Sequence, residues 1–276
     1  LDKETQARYI GWQGAFYNLA KVLANGGMVA LAGVLMTMFK ENNPETAPMY
    51  AWMIIMGLIA LLLCGLSIYH YFVLPKGAKS HDAPTSTYGA IMSFVEVFKT
   101  FFTKKYVWLY ILFIICYRLT EGFAVKMVPL FLKASIADGG LAMSNESIGL
   151  IYGTLGTIAF IIGSIAGGYY IAAFGLRKVL FSLVCIFNIP FVIYYIFALL
   201  QPENIYIIGS GLVLEYFCYG FGFVGLTLFM MQQVAPGKHT MAHYAFASGI
   251  MNLGFMIPGM ISGWIYEQVG YEQFFF

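Results

Sequence analysis

The chain has 276 residues, of which 60% are hydrophobic and 10% charged, and its mean hydropathy is +0.77, against about a quarter charged in soluble domains. That excludes an ordinary water-soluble domain and predicts an all-α integral membrane protein whose first partner is the lipid bilayer. A net charge of +2 is too weak to argue for nucleic acid, and Cys64, Cys116, Cys185 and Cys218 sit inside apolar runs as expected core residues, without the spacing of a disulfide framework or metal site.

Seven apolar runs are long enough to cross ~30 Å of hydrocarbon as helices of about 20 residues: roughly 10–39, 50–74, 107–132, 147–173, 178–200, 205–232 and 241–266. Counting Lys and Arg at their ends gives ten on the side of the N-terminal end (Lys3, Arg8, Lys76, Lys79, Lys99, Lys104, Lys105, Arg177, Lys178, Lys238) and two on the other (Lys40, Lys133). The positive-inside rule therefore predicts a cytoplasmic N-terminal end.

In the first span, Gly14, Asn18, Lys21 and Asn25 recur at helical spacing and form a polar stripe. The stripe is a candidate cavity lining; the alternative is that the Asn side chains bind neighbouring helices while Lys21 pairs with a carboxylate. Between the second and third spans, Leu74 to Tyr106 is a polar connection that opens Pro75-Lys76-Gly77 and reaches Pro84. Its second half places Ile91, Phe94, Val95, Phe98, Phe101 and Phe102 on one side, the period of a cytoplasmic interfacial helix or of one packed beneath the bundles.

The third span carries three ionisable residues, Arg118, Glu121 and Lys126, within the apolar run from Val107 to Leu132. Each costs ~2.5 to 3.5 kcal/mol at a bilayer centre, so such residues normally face protein or a wet cavity. At about 100° per residue, Glu121 lies roughly 60° to one side of Arg118 and Lys126 roughly 80° to the other, which would let one helix present all three to a single cavity. A self-neutralising Arg118–Glu121 pair is the structural alternative.

The fourth span is rich in glycine, with Gly163 and Gly167 as a small-xxx-small pair and Tyr152, Thr154 and Thr157 as its polar members. The turn from Phe174 to Lys178 fits only an antiparallel helical hairpin. The sixth span holds a deep Glu215, followed one turn on by Tyr219; the acid is a candidate counter-ion for the third span or a proton carrier. In the seventh, His239 and His243 lack a third metal-ligand motif, and Asn252, Gly254, Pro258, Gly259 and Gly263 describe a helix able to kink. Nucleophile-elbow, zinc-helix and phosphate-loop patterns do not occur, so neither an enzyme nor a cofactor is expected.

The third span's Tyr117-Arg118-Leu119-x-Glu121-x-Phe123 resembles the Tyr-Lys/Arg-Leu-x-Asp/Glu-x-Phe pattern of muropeptide permeases, a branch of the major facilitator superfamily. Leu214-Glu215-Tyr216-Phe217-Cys218-Tyr219-Gly220-Phe221-Gly222 is similar to their tenth helix. His243-Tyr244-Ala245 through Pro258-Gly259, Gly263-Trp264 and Gly270-Tyr271 is similar to their eleventh. The resemblance implies helices five to eleven of twelve: residues 1–74 closing an N-terminal bundle, 75–106 the central cytoplasmic linker, and 107–276 a C-terminal bundle whose last helix opens at Phe274-Phe275-Phe276.

It further implies proton-coupled import of amphipathic sugar-peptide fragments of cell wall across a bacterial inner membrane. Acetyl-coenzyme A transporters resemble the same branch, so a sugar, oligosaccharide or acetyl-coenzyme A carrier is the alternative, followed by a non-transporting sensor. On this reading Glu121, Glu215 and Arg118 couple the proton. Lys21, Asn18, Asn25, Tyr117, Lys126, Tyr152, Tyr219 and Asn252 contact substrate. Two departures stand out: Glu121 occupies a position usually held by Asp, and Asn18 with Lys21 stands where an Arg is expected at the former position. No oligomeric state is implied.

Overall fold

A computed structural model describes residues 2–40, 44–74 and 86–276, of which residues 25, 26, 29, 90 and 146 are described in their backbone alone. The opening of the expected linker, Pro75 to Pro84, lies outside the described residues. Every regular element among them is helical: α1 Lys3–Val22, α2 Val29–Lys40, α3 Ala47–Val73, α4 Thr87–Phe102, α5 Val107–Lys133, α6 Asn145–Ile148, α7 Gly156–Phe174, α8 Leu176–Asn188, α9 Val192–Leu200, α10 Ile205–Phe229 and α11 Thr240–Phe275.

Three π-helical stretches, Leu23–Met28, Gly149–Leu155 and Met230–Val234, join or extend these helices. The seven expected spans therefore map onto α1–α2, α3, α5, α6–α7, α8–α9, α10 and α11. Among the described residues five helices are long and apolar enough to cross a membrane: Ala47–Val73, Gly149–Phe174, Leu176–Leu200, Ile205–Val234 and Thr240–Phe275. The other two, α1–α2 and α5, are helical but carry charge along their length.

The chain divides into two units. One comprises Leu1–Leu19 with Met92–Phe276, the other Ala20–Ile91, so the unit edges fall at 19 and 91 where the resemblance draws boundaries at 74 and 106. In the second unit α2 runs alongside α3, with Phe39 edge-on to Tyr50 at 6.3 Å. Leu61, Leu62 and Leu63 on α3 are 72%, 56% and 60% exposed, an arrangement that hydrocarbon tolerates and water does not.

In the first unit, glycine sets how close the helices come. Gly163 and Gly167 of α7 lie against the Phe217 and Phe221 carbonyls of α10, and Gly220 of α10 lies against the Phe160 carbonyl of α7. A Cβ at any of the three would enter backbone, so the pair is locked from both sides; the small-xxx-small reading holds. Without a hydrophobic force between helices in lipid, this van der Waals contact is what holds them together. α5 and α11 meet similarly, with Gly122 under the Phe255 carbonyl and Gly254 against the Ile115 backbone. Gly11 of α1 abuts Ser164, whose hydroxyl donates to the Gly11 carbonyl at 3.2 Å.

The hairpin between α7 and α8 turns on Gly175 alone, at φ 81°, a conformation glycine adopts without steric cost. α11 kinks at Gly270, where two helical segments meet, and the second runs on through Phe274.

From Met92 onward, α4 packs beneath this unit. Phe94, Phe98 and Phe101 surround Phe246 at 6.3, 5.9 and 5.4 Å, and Thr100 Oγ1 lies 3.2 Å from His243 Nε2. Glu96 pairs with Lys238 at 2.9 Å and lies 3.5 Å from His239. Lys104 Nζ donates to the carbonyls of Val234, Ala235 and Pro236 at 2.6, 3.2 and 2.8 Å, closing the end that continues α10. Burial pulls the Lys104 pKa below its ordinary value. On the apolar side of α4, Phe101 is buried while Phe94 and Val95 remain exposed. Two of the expected core cysteines are not core residues, since Cys64 and Cys116 are exposed.

Candidate functional site

The charges of α5 separate. Arg118 and Glu121, one turn apart, turn into the unit and form an ion pair at 2.7 Å with side chains 7% and 2% exposed. Lys126 lies on an exposed part of the helix, its stem beside Gly259 of α11. The expectation that one cavity receives all three is corrected by this placement: about 140° of helix separates Glu121 from Lys126, and the buried arc covers only the first two.

Aromatic faces flank the Arg118 guanidinium, Phe223 of α10 at 5.3 Å and Phe255 of α11 at 4.9 Å. A desolvated cation over such faces gains about 2 kcal/mol, which offsets part of the cost of burial. The Arg118 Nε has no hydrogen-bond acceptor among the described residues. Glu121 Oε1 accepts from the Tyr219 hydroxyl at 2.8 Å. Tyr117, 2% exposed, donates to the Gly222 carbonyl at 2.7 Å and fastens α5 to α10 beside the pair.

Glu215, 4% exposed, accepts from the Tyr194 hydroxyl of α9 at 2.9 Å. No cation pairs with it among the described residues, so the expected role of counter-ion to the third span is corrected: Arg118 is taken by Glu121. The two acids nevertheless share one enclosure. Glu121, Glu215, Tyr152, Tyr194, Tyr216 and Tyr219 line a void of about 20 Å³.

A larger cavity, about 420 Å³, lies off this cluster, between Leu119, Thr120 and Phe123 of α5, Asn188 and Phe191, and the last residues of α11. It shares Ala124, Phe191 and Tyr194 with the small void but neither carboxylate. Glu121 is thus enclosed here and faces α10, not lipid.

Asn252 is exposed on α11. Asn18 belongs to the first unit and donates to the Gly14 carbonyl of its own helix at 2.9 Å. Lys21 and Asn25 fall in the second unit, and the Asn25 side chain lies outside the described residues. Tyr194, Phe223 and Phe255 escaped the sequence reading. Tyr194 carried one signal, a hydroxyl within the apolar run Ile189 to Leu200 that must find a partner when buried; the phenylalanines carried none.

The Major Facilitator Superfamily model matches residues 1–263. The chain belongs to the Major Facilitator Superfamily. It is 23% identical over 181 residues to the anhydromuropeptide permease of Escherichia coli K12, covering 66% of this chain and 35% of that protein. It is 24% identical over 266 residues to the putative transporter AmpG 1 of Rickettsia bellii, covering 94% of this chain and 59% of that one. The chain therefore spans between 35% and 59% of the length of these relatives. As a superfamily member it is an integral membrane protein, and the buried pair sits inside its helix bundle.

Proposed function

We propose that this superfamily member takes part in proton-coupled import of cell-wall muropeptides by alternating access in a bacterial inner membrane, with its N-terminal end cytoplasmic. The observation that carries the reading is the Arg118–Glu121 pair, buried at 2.7 Å in a transporter helix. An ion pair held out of water is a two-state element: a proton on Glu121 removes the attraction and leaves Arg118 seeking another anion. Muropeptides supply carboxylates for that purpose. The likeness to the Escherichia coli anhydromuropeptide permease supports the substrate class.

In this mechanism Glu121 carries the coupling proton and Arg118 holds it ionised until substrate or motion separates them. Lys126 and Asn252, exposed on the packed α5 and α11, are the substrate contacts of this unit. Tyr117, expected at the substrate, is instead buried with its hydroxyl on the Gly222 carbonyl, and Tyr219, expected there too, positions the pair through its bond to Glu121. Lys21, Asn18 and Asn25 are the further proposed substrate contacts, and transport proceeds by alternating access. Residues 1–74, 75–106 and 107–276 are then the end of one bundle, the linker and the second bundle.

Uptake of a labelled anhydromuropeptide into vesicles under an inward proton gradient tests the reading. Accumulation that collapses with the gradient and resists competition by a plain disaccharide is expected. Equal competition by the disaccharide would move the substrate to the oligosaccharides.

A further inference from the structure

The void between Glu121 and Glu215 measures about 20 Å³. Roughly 10 to 15 Å³ suffices for one water, which also needs two to four polar partners. Two carboxylates and the tyrosines around them supply those partners, while Ala124, Val125, Val128 and Phe191 close the apolar sides.

We infer that Glu121 and Glu215 exchange one proton through a single water held in this void, with Tyr194 and Tyr219 fixing the two carboxylates. The inference rests on the reading of Glu121 as the coupling acid. It follows from counting charge. The groups facing the void are Glu121 with its partner Arg118 from α5, Tyr152 from the π-helical stretch, Tyr194 from α9, and Glu215, Tyr216 and Tyr219 from α10. Cys218 adjoins Glu215 on α10.

One cation and two acids leave the cluster one proton short of neutrality. A buried carboxylate without a cation is the costly member. Arg118 pairs with Glu121 in this structure, so the proton resides on Glu215. For the exchange, the O–H bond of Glu215 breaks and its proton joins the water oxygen as one of that water's own protons passes to Glu121. The water is regenerated, Glu121 becomes neutral, Glu215 becomes the anion, and Tyr194 still donates to it. Arg118 is released from its pair in the same step, which couples proton position to the cation that meets substrate. Tyr152 and Tyr216, with rings edge to face at 5.0 Å, hold the water between the acids.

Infrared spectroscopy of the purified chain near neutral pH, in H2O and D2O, tests the relay without any substrate. One protonated carboxyl band that shifts in D2O is expected, absent in Glu215→Gln and retained when Glu121→Gln is combined with Arg118→Met, which leaves one acid and no cation in the cluster. Glu215→Asp, which keeps an acid at the site, should move the band without removing it. Tyr152→Phe combined with Tyr216→Phe should shift its frequency, because the water loses partners. A missing band, a band that persists in Glu215→Gln, or one indifferent to both tyrosines overturns the relay. Proton-coupled uptake with a band that ignores Glu215 would remove the relay alone; the expected band without any muropeptide uptake would remove only the transport reading.

Discussion

Arg118 Nη1 stands 2.7 Å from Glu121 Oε2, with the guanidinium between the faces of Phe223 and Phe255. The pair is internal to α5, yet both aromatic walls and the Tyr219 hydroxyl come from α10 and α11. Shifting any of the three helices changes the environment of the charge, and this is how a local proton could be read out as a rearrangement of the bundle.

Removing one member of the pair should cost more than removing both. Breaking a buried ion pair costs roughly 3 to 5 kcal/mol, because an uncompensated charge remains, whereas replacement of both partners is often nearly neutral. Arg118→Met and Glu121→Leu should each lower the midpoint of unfolding in detergent, and the double variant should recover most of the loss. Additive losses would mean that the pair contributes independently of its partner.

Helix packing predicts opposite signs for two glycine substitutions. Gly163→Ala drives a methyl into the Phe217 carbonyl and should cost ~1 to 3 kcal/mol through overpacking. Gly249→Ala, with nothing within 4 Å of the new methyl, should stabilise by about 0.4 to 1 kcal/mol through the unfolded chain. Thermal unfolding of both variants in one detergent compares them directly.

The seating of α4 should depend on pH. The hydrogen bond from Lys238 holds the Glu96 carboxyl below its ordinary value. A depressed carboxyl contributes stability above its unfolded value and loses it as pH falls through the folded one. Hydrogen exchange of residues 92–102 should therefore quicken in the acid range below the ordinary carboxylate value, and Glu96→Gln should exchange at the fast rate at every pH. The change is expected to be small, since both groups are exposed and screened.

The sequence made the helices legible because apolar runs of this length admit few alternatives, and it exposed Arg118, Glu121 and Glu215 because charge in such runs is conspicuous. It could not say which way the charges of α5 point. Apolar residues surround that helix, so periodicity does not separate a lipid-facing arc from a packed one, and Lys126 was placed with the pair when it lies on the exposed arc. Asn18 looked outward-reaching, yet its amide closes on its own helix, as short polar side chains commonly do. Tyr194 and Phe255 are 73 and 137 residues from Glu121 and Arg118 in the chain, separations that no local pattern encodes.

Substrate-dependent proton uptake by Glu121→Gln in reconstituted vesicles, alongside wild type and Glu121→Asp, tests the role of the buried pair most directly. Wild type and Glu121→Asp should both move protons with substrate, while Glu121→Gln should lose proton-driven accumulation yet still show measurable substrate exchange. Undiminished proton-driven accumulation by a folded Glu121→Gln protein would contradict the account.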